Sequence, residues 1–304
     1  MKFIDQLKEI LSEEQILIDE PMSRHTTFQT GGPAEFFLLP GEEQIGQILS
    51  LCKKENVPVM VIGNGSNLLI SDEGIRGCVI CVGSRMNEIR TEGKEIQVQA
   101  GAMLSQLAAE AKRQSLTGLE FASGIPGTVG GALVMNAGAY GGEMKDVLKS
   151  VHVLEQYGQE RTLSLEEYQG GYRSSAIMHS GAIVLSAVFA LETGDQNEIS
   201  EKMKDLNGRR REKQPLEYPS AGSTFKRPEG YFAGKMIQDS GLSGYTVGGA
   251  QVSEKHCGFV INKGGATSKD IYQLMADCIK KVKADTGVTL EPEVRCIGEF
   301  HTED

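Results

Sequence analysis

The sequence predicts an α+β protein with a larger N-terminal domain to about residue 195 and a smaller domain over 196–304. Three observations carry this. Segments of helical period are interspersed with short apolar runs closed by glycine. A glycine-dense stretch over 118–143 breaks the first part, and the character of the chain changes after the strand-like AIVLSAVFALETG. With 304 residues the chain is long enough for two domains that need neither disulfides nor metals.

The elements follow in order. MKFIDQLKEILSEEQ reads as an amphipathic acidic helix and not as a signal peptide. EEQIGQILSLCKKEN sets Ile45, Ile48, Leu49 and Cys52 on one stripe, the mark of a second helix. VPVMVIG, GCVICVG and EIQVQAG are strand-like, and AMLSQLAAEAKRQ is a helix with Leu104, Leu107, Ala108 and Ala111 on one face. After the glycine-dense stretch, VLKSVHVLEQYGQERTLSLEEY reads as a strand, a turn at Gly158 and another strand. Beyond 196, NEISEKMKDLNGRRREKQP is a helix whose apolar face holds Ile199, Met203 and Leu206. ATSKDIYQLMADCIKKVKADTG is a helix capped near Thr267 or Ser268, with Ile271, Met275, Cys278 and Val282 inward. GGAQV, GFVINKG and EVRCIGEF are strands around it.

Composition excludes several classes of function. A net charge of −10 argues against a general nucleic-acid binder. No apolar run approaches 18 residues, so no membrane insertion is expected, and the cytoplasm is the expected compartment. Cys78 and Cys81 form a C-x-x-C, but inside GCVICVG and with no second ligand pair nearby. Buried thiols are therefore expected, and no metal site.

The stretch VIGNGSNLLI holds a G-x-G at Gly63 and Gly65. A dinucleotide fingerprint requires strand, G-x-G-x-x-G and helix, because the helix N-terminus carries the pyrophosphate. Here the third glycine position is Leu68 and the chain continues as a strand, so the Rossmann alternative fails on context. Two readings remain for GNGSN: a tight turn, or a phosphate loop using backbone N–H groups with Ser66 and Asn67 as short donors. The second loop, GIPGTVGG over 124–131, shifts the balance toward one extended cofactor lying between two glycine loops flanked by apolar strands. A glycine-rich structural corner is the alternative.

Three further segments hold polar groups in apolar or glycine settings. GGYRSSAIM carries Arg173, PSAGSTFKRPEG carries Ser223 beside Lys226 and Arg227, and TLEPEVRCIGEF carries Glu293. An arginine can hold a carboxylate bidentately or stabilise a developing enolate, and a serine or glutamate can donate a proton to a reacting carbon. Taken singly, each also reads as structural: Arg173 as a salt-bridge partner, Ser223 as a turn residue, Glu293 as an exposed strand residue. A serine-hydrolase reading of Ser223 is weak, since AGSTF lacks the G-x-S-x-G elbow and the five histidines show no base motif. The run Arg209–Lys213 reads as a solvated helix end or as a contact for a diphosphate, with Lys213 favoured for the latter.

Taken together, and in this order, GNGSNLLISDEGIRG, SGIPGTVGGALVMNAGAYGGE, YRSSAI, AGSTFKRP, GGAQVSEKHCGFVIN and LEPEVR closely resemble the UDP-N-acetylenolpyruvoylglucosamine reductases (MurB). These are the flavoenzymes of peptidoglycan precursor synthesis, and the resemblance spans nearly the whole chain. It implies a non-covalent FAD-binding domain of the vanillyl-alcohol-oxidase (PCMH) type, built of two α+β subdomains over about 1–80 and 81–195. A C-terminal substrate domain over 196–304 follows. It also implies ping-pong chemistry at flavin N5: NADPH reduces FAD and leaves, then the enolpyruvyl ether of UDP-N-acetylglucosamine takes hydride at C3 and a proton at C2, giving UDP-N-acetylmuramate.

Carried over by motif, Arg173 and Glu293 polarise the substrate carboxylate and stabilise the enolate-like intermediate, and Ser223 is the proton donor to C2. Gly63, Asn64, Gly65, Ser66, Asn67, Leu68, Gly127, Thr128, Val129, Gly130 and Gly131 line FAD. Tyr172, Lys213, Lys226, Arg227 and Gln251 meet the substrate. Arg227 stands where some members carry asparagine. The segment 171–220 is short for the tyrosine-bearing loop of one subclass, so the likeness is to the shorter (type II) form. Two alternatives stand beside this: another FAD-dependent oxidase or dehydrogenase of the same fold, and a flavin-binding module without catalysis.

Overall fold

The computed structural model describes residues 2–155 and 158–301, so Gln156 and Tyr157, just before the expected turn at Gly158, lie outside the described residues. The chain gathers into two compact units. One comprises Met1–Leu17, Phe36–Asn64 and Gly77–Arg210; the other comprises Ile18–Glu35, Gly65–Arg76 and Arg211–Asp304.

Two sheets organise the first part of the chain. A four-stranded sheet runs in the order Ile16–Pro21, Pro33–Leu38, Ile75–Cys81, Val59–Ile62, with the last two parallel. The helices Phe3–Ile10 and Glu42–Glu55 bury Leu7, Ile45, Ile48 and Cys52 in one core with Cys78 and Ile80. The first helix is shorter than its pattern suggests. Leu11 is extended, and Ser12 opens a separate turn whose backbone N–H donates to the Gln15 side chain at 3.0 Å. The second helix ends at Asn56, whose left-handed backbone (φ 54°) suits asparagine.

The other sheet has five antiparallel strands in the order Glu160–Ser164, Leu148–Leu154, Ile183–Ala190, Glu95–Gln99, Ile89–Glu92. The helix Leu104–Arg113 buries Leu104, Leu107, Ala108 and Ala111, the four residues its period picks out. The glycine-dense stretch departs from expectation. GIPGTVGG is not flanked by a strand on its far side but runs into the helix Val129–Val134. Thr128 is the reason: at the cap position its hydroxyl accepts the Gly131 N–H at 3.4 Å and starts the turn. Tyr168 is fully buried and its hydroxyl donates to the Leu133 carbonyl at 2.6 Å.

The long helix Gln196–Lys213 buries Ile199 and Leu206. Lys202 Nζ pairs with the buried Glu120 carboxylate at 3.2 Å, and Asn207 Nδ2 donates to Ser123 Oγ at 3.1 Å, which holds this helix through Arg210 within the first unit. In the second unit a small antiparallel sheet of Thr246–Val247, Ala250–Val252 and Val260–Asn262 lies with the helix Ser268–Thr286. Thr267 caps that helix by accepting the Asp270 N–H at 3.0 Å, and Ile271, Met275, Cys278 and Val282 are each at most 2% exposed. Leu68–Ile70 pairs in parallel with Arg295–Ile297.

Two substitutions test this packing. Tyr168→Phe removes the hydroxyl donor from the Leu133 carbonyl, which keeps the Asn136 N–H at 3.3 Å, and should cost about 0.5–1.5 kcal/mol. Gly46→Ala adds a methyl with nothing within 4 Å, inside the helix Glu42–Glu55, and should stabilise by about 0.5–1 kcal/mol. Urea unfolding of both variants measures the two opposite shifts in midpoint.

Candidate active site

The strands that bracket GNGSN, Val59–Ile62 and Leu68–Ile70, do not pair with each other. The first lies beside Ile75–Cys81 and the second beside Arg295–Ile297. The loop is therefore no hairpin turn: the chain leaves the first unit after Asn64 and enters the second at Gly65.

Within the first unit its opening residues meet the other glycine loop. Asn64 Nδ2 donates to the Pro126 carbonyl at 2.8 Å. A Cβ on Gly63 would lie 2.2 Å from Thr128 Oγ1, so only glycine allows the two backbones this close. The N–H groups of Val129 and Gly130 donate to the Ala102 and Ala100 carbonyls, each at 2.8 Å, and that of Gly131 to Thr128 Oγ1. Leu104 N donates to the Gly127 carbonyl at 3.0 Å. This stretch thus offers a ligand shape and close approach, with Asn64 and Gly131 exposed at its edge.

In the second unit the loop's later residues are pinned differently. Gly65 takes φ +60°, and a Cβ there would lie 2.0 Å from the His25 carbonyl oxygen. Ser66 and Leu68 are half-buried. Asn67 Nδ2, expected as a phosphate donor, donates to the Glu293 carbonyl at 3.0 Å, and Arg295 N donates to the Asn67 carbonyl at 3.0 Å.

The same unit brings Ser223 and Glu293 together through the residue between Ser223 and Phe225. Thr224 is fully buried; its N–H donates to the Gly258 carbonyl at 2.8 Å, its hydroxyl accepts the Val260 N–H at 2.9 Å, and its carbonyl accepts the Glu293 N–H at 2.8 Å. Ser223 is half-buried and makes no side-chain hydrogen bond among the described residues, which leaves its hydroxyl available for a ligand. Lys226 N donates to the Glu291 carbonyl at 2.8 Å, while its ammonium pairs with the Glu291 carboxylate at 3.1 Å. Arg227 lies over the Phe232 ring, 4.0 Å from its centroid. Gln251 sits in the strand next to Val260–Asn262 and donates to the Gly244 carbonyl at 3.4 Å. Lys213 ends its helix exposed and pairs with no carboxylate among the described residues.

Arg173 belongs to the first unit, beside Tyr172, which is 54% exposed. Gly171 and Ser174 exchange backbone hydrogen bonds at 2.9 and 3.2 Å around the pair, and Arg173 has φ 53°. That left-handed backbone costs an arginine about 1–2 kcal/mol. Ser175, the second serine of YRSS, is fully buried, donates to the Val134 carbonyl at 2.8 Å and accepts the Met178 N–H at 3.2 Å. Two residues the motifs did not single out complete the surroundings. Asn136 is 1% exposed and donates to the Glu143 carboxylate at 2.8 Å and to the Gly171 carbonyl at 3.0 Å. Lys145 chiefly, with Asn136 and Arg173, holds the Glu143 carboxyl below the usual carboxylate range against its partial burial. A buried asparagine amid small and apolar residues in VMNAGAYGGE was the one available signal.

Comparison with known proteins places these features. Residues 33–164 match the model described as FAD binding domain, and residues 214–297 match that of the UDP-N-acetylenolpyruvoylglucosamine reductase C-terminal domain. The chain is 53% identical over 302 residues to the UDP-N-acetylenolpyruvoylglucosamine reductase of Lachnoclostridium phytofermentans, covering 97% of each. It is 52% identical over 299 residues to that of Clostridium perfringens, covering 98% of each. Among solved structures, UDP-N-acetylenolpyruvylglucosamine reductase (MurB) from Thermus caldophilus superposes with a TM-score of 0.80 at 34% identity, over 93% of this chain and 100% of that one. A glucose oxidase variant of Phl p 4 matches at 14% identity and a TM-score of 0.51, over 64% of this chain and 45% of that one, a likeness of fold alone. The oxidase alternative draws no support from it.

The glycine contact gives a direct test. Gly63→Ala must push the two loops apart, and FAD affinity should fall at least about tenfold, or 1.4 kcal/mol. Flavin content after dialysis measures this; wild-type retention would show that the contact does not shape the cofactor site.

Proposed function

The chain belongs to the UDP-N-acetylenolpyruvoylglucosamine reductase family, and from that premise we propose how its residues share the reaction. It is an FAD-dependent oxidoreductase that reduces UDP-N-acetylglucosamine enolpyruvate to UDP-N-acetylmuramate with NADPH as hydride donor, in peptidoglycan precursor synthesis. FAD, when bound, accepts hydride from NADPH and delivers it to C3 of the enolpyruvyl group.

The two glycine loops are the residues proposed to hold FAD: Gly63–Leu68 and Gly127–Gly131. In support, glycine spacing and the Asn64–Pro126 hydrogen bond bring the first halves of these loops within contact distance in one unit. Because most N–H groups of the second loop are spent inside the protein, the loops exclude water and set shape more than they coordinate charge.

Arg173 is assigned to the substrate carboxylate. Its permanent charge lowers the energy of the enolate-like form that follows hydride arrival at C3. Glu293 assists in the same polarisation. Ser223 supplies the proton to C2. A serine is a weak acid in water, but a fixed hydroxyl beside a strongly basic carbon needs little acidity. Support comes from Thr224, whose N–H, hydroxyl and carbonyl are all hydrogen-bonded and fix the backbone next to Ser223, while the serine hydroxyl is left uncommitted among the described residues. Tyr172, Lys213, Lys226, Arg227 and Gln251 are proposed to meet the rest of the substrate, with exposed Lys213 suited to a diphosphate.

The expected division, an FAD-binding domain over 1–195 and a substrate domain over 196–304, puts the two matched segments in separate domains. A reducing cytoplasm is the proposed setting, supported by six cysteines that are all free thiols. No described helix is long and apolar enough to cross a membrane.

The single observation that carries the catalytic assignment is the Ser223 hydroxyl, without a hydrogen bond among the described residues, next to Thr224, whose carbonyl accepts the Glu293 N–H at 2.8 Å. Ser223→Ala should keep the NADPH half-reaction, seen as bleaching of the flavin, and slow its recolouring by the enolpyruvyl substrate by about 10²–10⁴-fold. Equal loss in both half-reactions would remove Ser223 from the role of proton donor.

A further inference from the structure

Arg173 carries its charge from an unfavourable backbone. At φ 53° it occupies the second central position of a two-residue turn, where glycine is the ordinary choice. Such a conformation persists only when its surroundings over-determine it. Within the first unit Ser175 anchors the chain just after this turn, and Asn136 holds the residue that opens it.

Asn136 is buried to 1% exposure and itself left-handed at φ 42°. Its amide is fully used. Nδ2 donates to the Gly171 carbonyl, the group that opens the Arg173 turn, at 3.0 Å, and to Glu143 Oε2 at 2.8 Å. Its Oδ1 accepts the Lys145 N–H at 3.0 Å. Glu143 in turn pairs with the Lys145 ammonium at 3.0 Å and feels the charge of Arg173. One amide therefore grips both the backbone that opens the Arg173 turn and the Glu143 carboxylate, which pairs with Lys145. No aspartate or leucine of similar size can do both. A carboxylate would repel Glu143, and a hydrocarbon would take one donor away from both the Gly171 carbonyl and the Glu143 carboxylate.

We propose that Asn136 is a positioning residue for the reduction of the enolpyruvyl substrate, acting through Arg173 by fixing the Gly171–Ser174 turn and the place of Glu143. The inference rests on the assignment of Arg173 to the substrate carboxylate. It predicts a defect confined to the substrate half of the reaction, because misplacing a charged group by about 1 Å costs on the order of 100-fold in rate.

The test compares Asn136→Asp and Asn136→Gly, both compatible with a left-handed backbone, with Arg173→Ala and with the Asn136→Gly, Arg173→Ala double variant. Flavin content and the rate of bleaching by NADPH report folding and cofactor binding; substrate affinity is read by calorimetry and recolouring by stopped flow. Both Asn136 variants should recolour about 10–100-fold more slowly while bleaching within about twofold of wild type, and the double variant should be no slower than Arg173→Ala alone. Equal loss in both half-reactions, or additive loss in the double variant, overturns the positioning role. Recolouring at the wild-type rate by Arg173→Ala would instead overturn the assignment of Arg173 itself, a separate failure. Normal recolouring by both Asn136 variants, with Arg173→Ala impaired, overturns the inference and leaves that assignment standing.

Discussion

The hydrogen bond from Asn64 to the Pro126 carbonyl, with Gly63 laid against Thr128, is the constraint on which the flavin-binding half of the molecule depends. It brings two peptide segments 62 residues apart to a distance that any side chain at Gly63 would forbid. Thr128 serves both loops at once. Its hydroxyl occupies the space beside Gly63 and also accepts the Gly131 N–H, which starts the helix Val129–Val134. That helix then becomes an anchor. Its Leu133 carbonyl takes the Tyr168 hydroxyl and its Val134 carbonyl takes the Ser175 hydroxyl, on either side of Arg173 in the chain. Two residues further on, Asn136 closes the Arg173 turn. The geometry of the two glycine loops where they meet and that of the Arg173 turn are thus set by one short run, Thr128 to Asn136.

The second unit solves a comparable problem with a different residue. Thr224 has its N–H, hydroxyl and carbonyl all engaged, by Gly258, Val260 and Glu293. A buried polar group left without partners costs about 1–3 kcal/mol, so full satisfaction makes this residue a fixed point. Ser223 and Glu293 both take their positions from it. Two residues after Glu293 the strand Arg295–Ile297 begins, and the Arg295 N–H meets the Asn67 carbonyl. Asn67 therefore holds protein to protein, just as Asn64 does in the other unit.

Arginine and lysine side chains in the candidate site differ in how much they are committed. Lys226 is paired with Glu291 and Arg227 lies on Phe232, whereas Lys213 has no carboxylate partner among the described residues. An exposed pair such as Lys226–Glu291 contributes little to stability, about 0–1 kcal/mol, so exchanging its partner for a phosphate group costs correspondingly little.

Much of this was written in the sequence because it depends on local rules. Helical stripes chose the right inward residues in Leu104–Arg113 and Ser268–Thr286, since burial of an amphipathic face follows a period of 3.6. Leu68 in place of a third glycine excluded the Rossmann turn, because that turn needs a helix directly after it. The ordered set of motifs from GNGSN to EPEV identified the family and its chemistry. What the sequence alone could not settle were pairings between distant segments. That Val59–Ile62 and Leu68–Ile70 find separate partners, that the Asn67 amide reaches the Glu293 carbonyl, and that the Asn136 amide reaches the Gly171 carbonyl all depend on backbone groups meeting across the chain. A peptide carbonyl looks the same at every residue, so no residue type announces which one an amide will reach. Only the folded chain decides that.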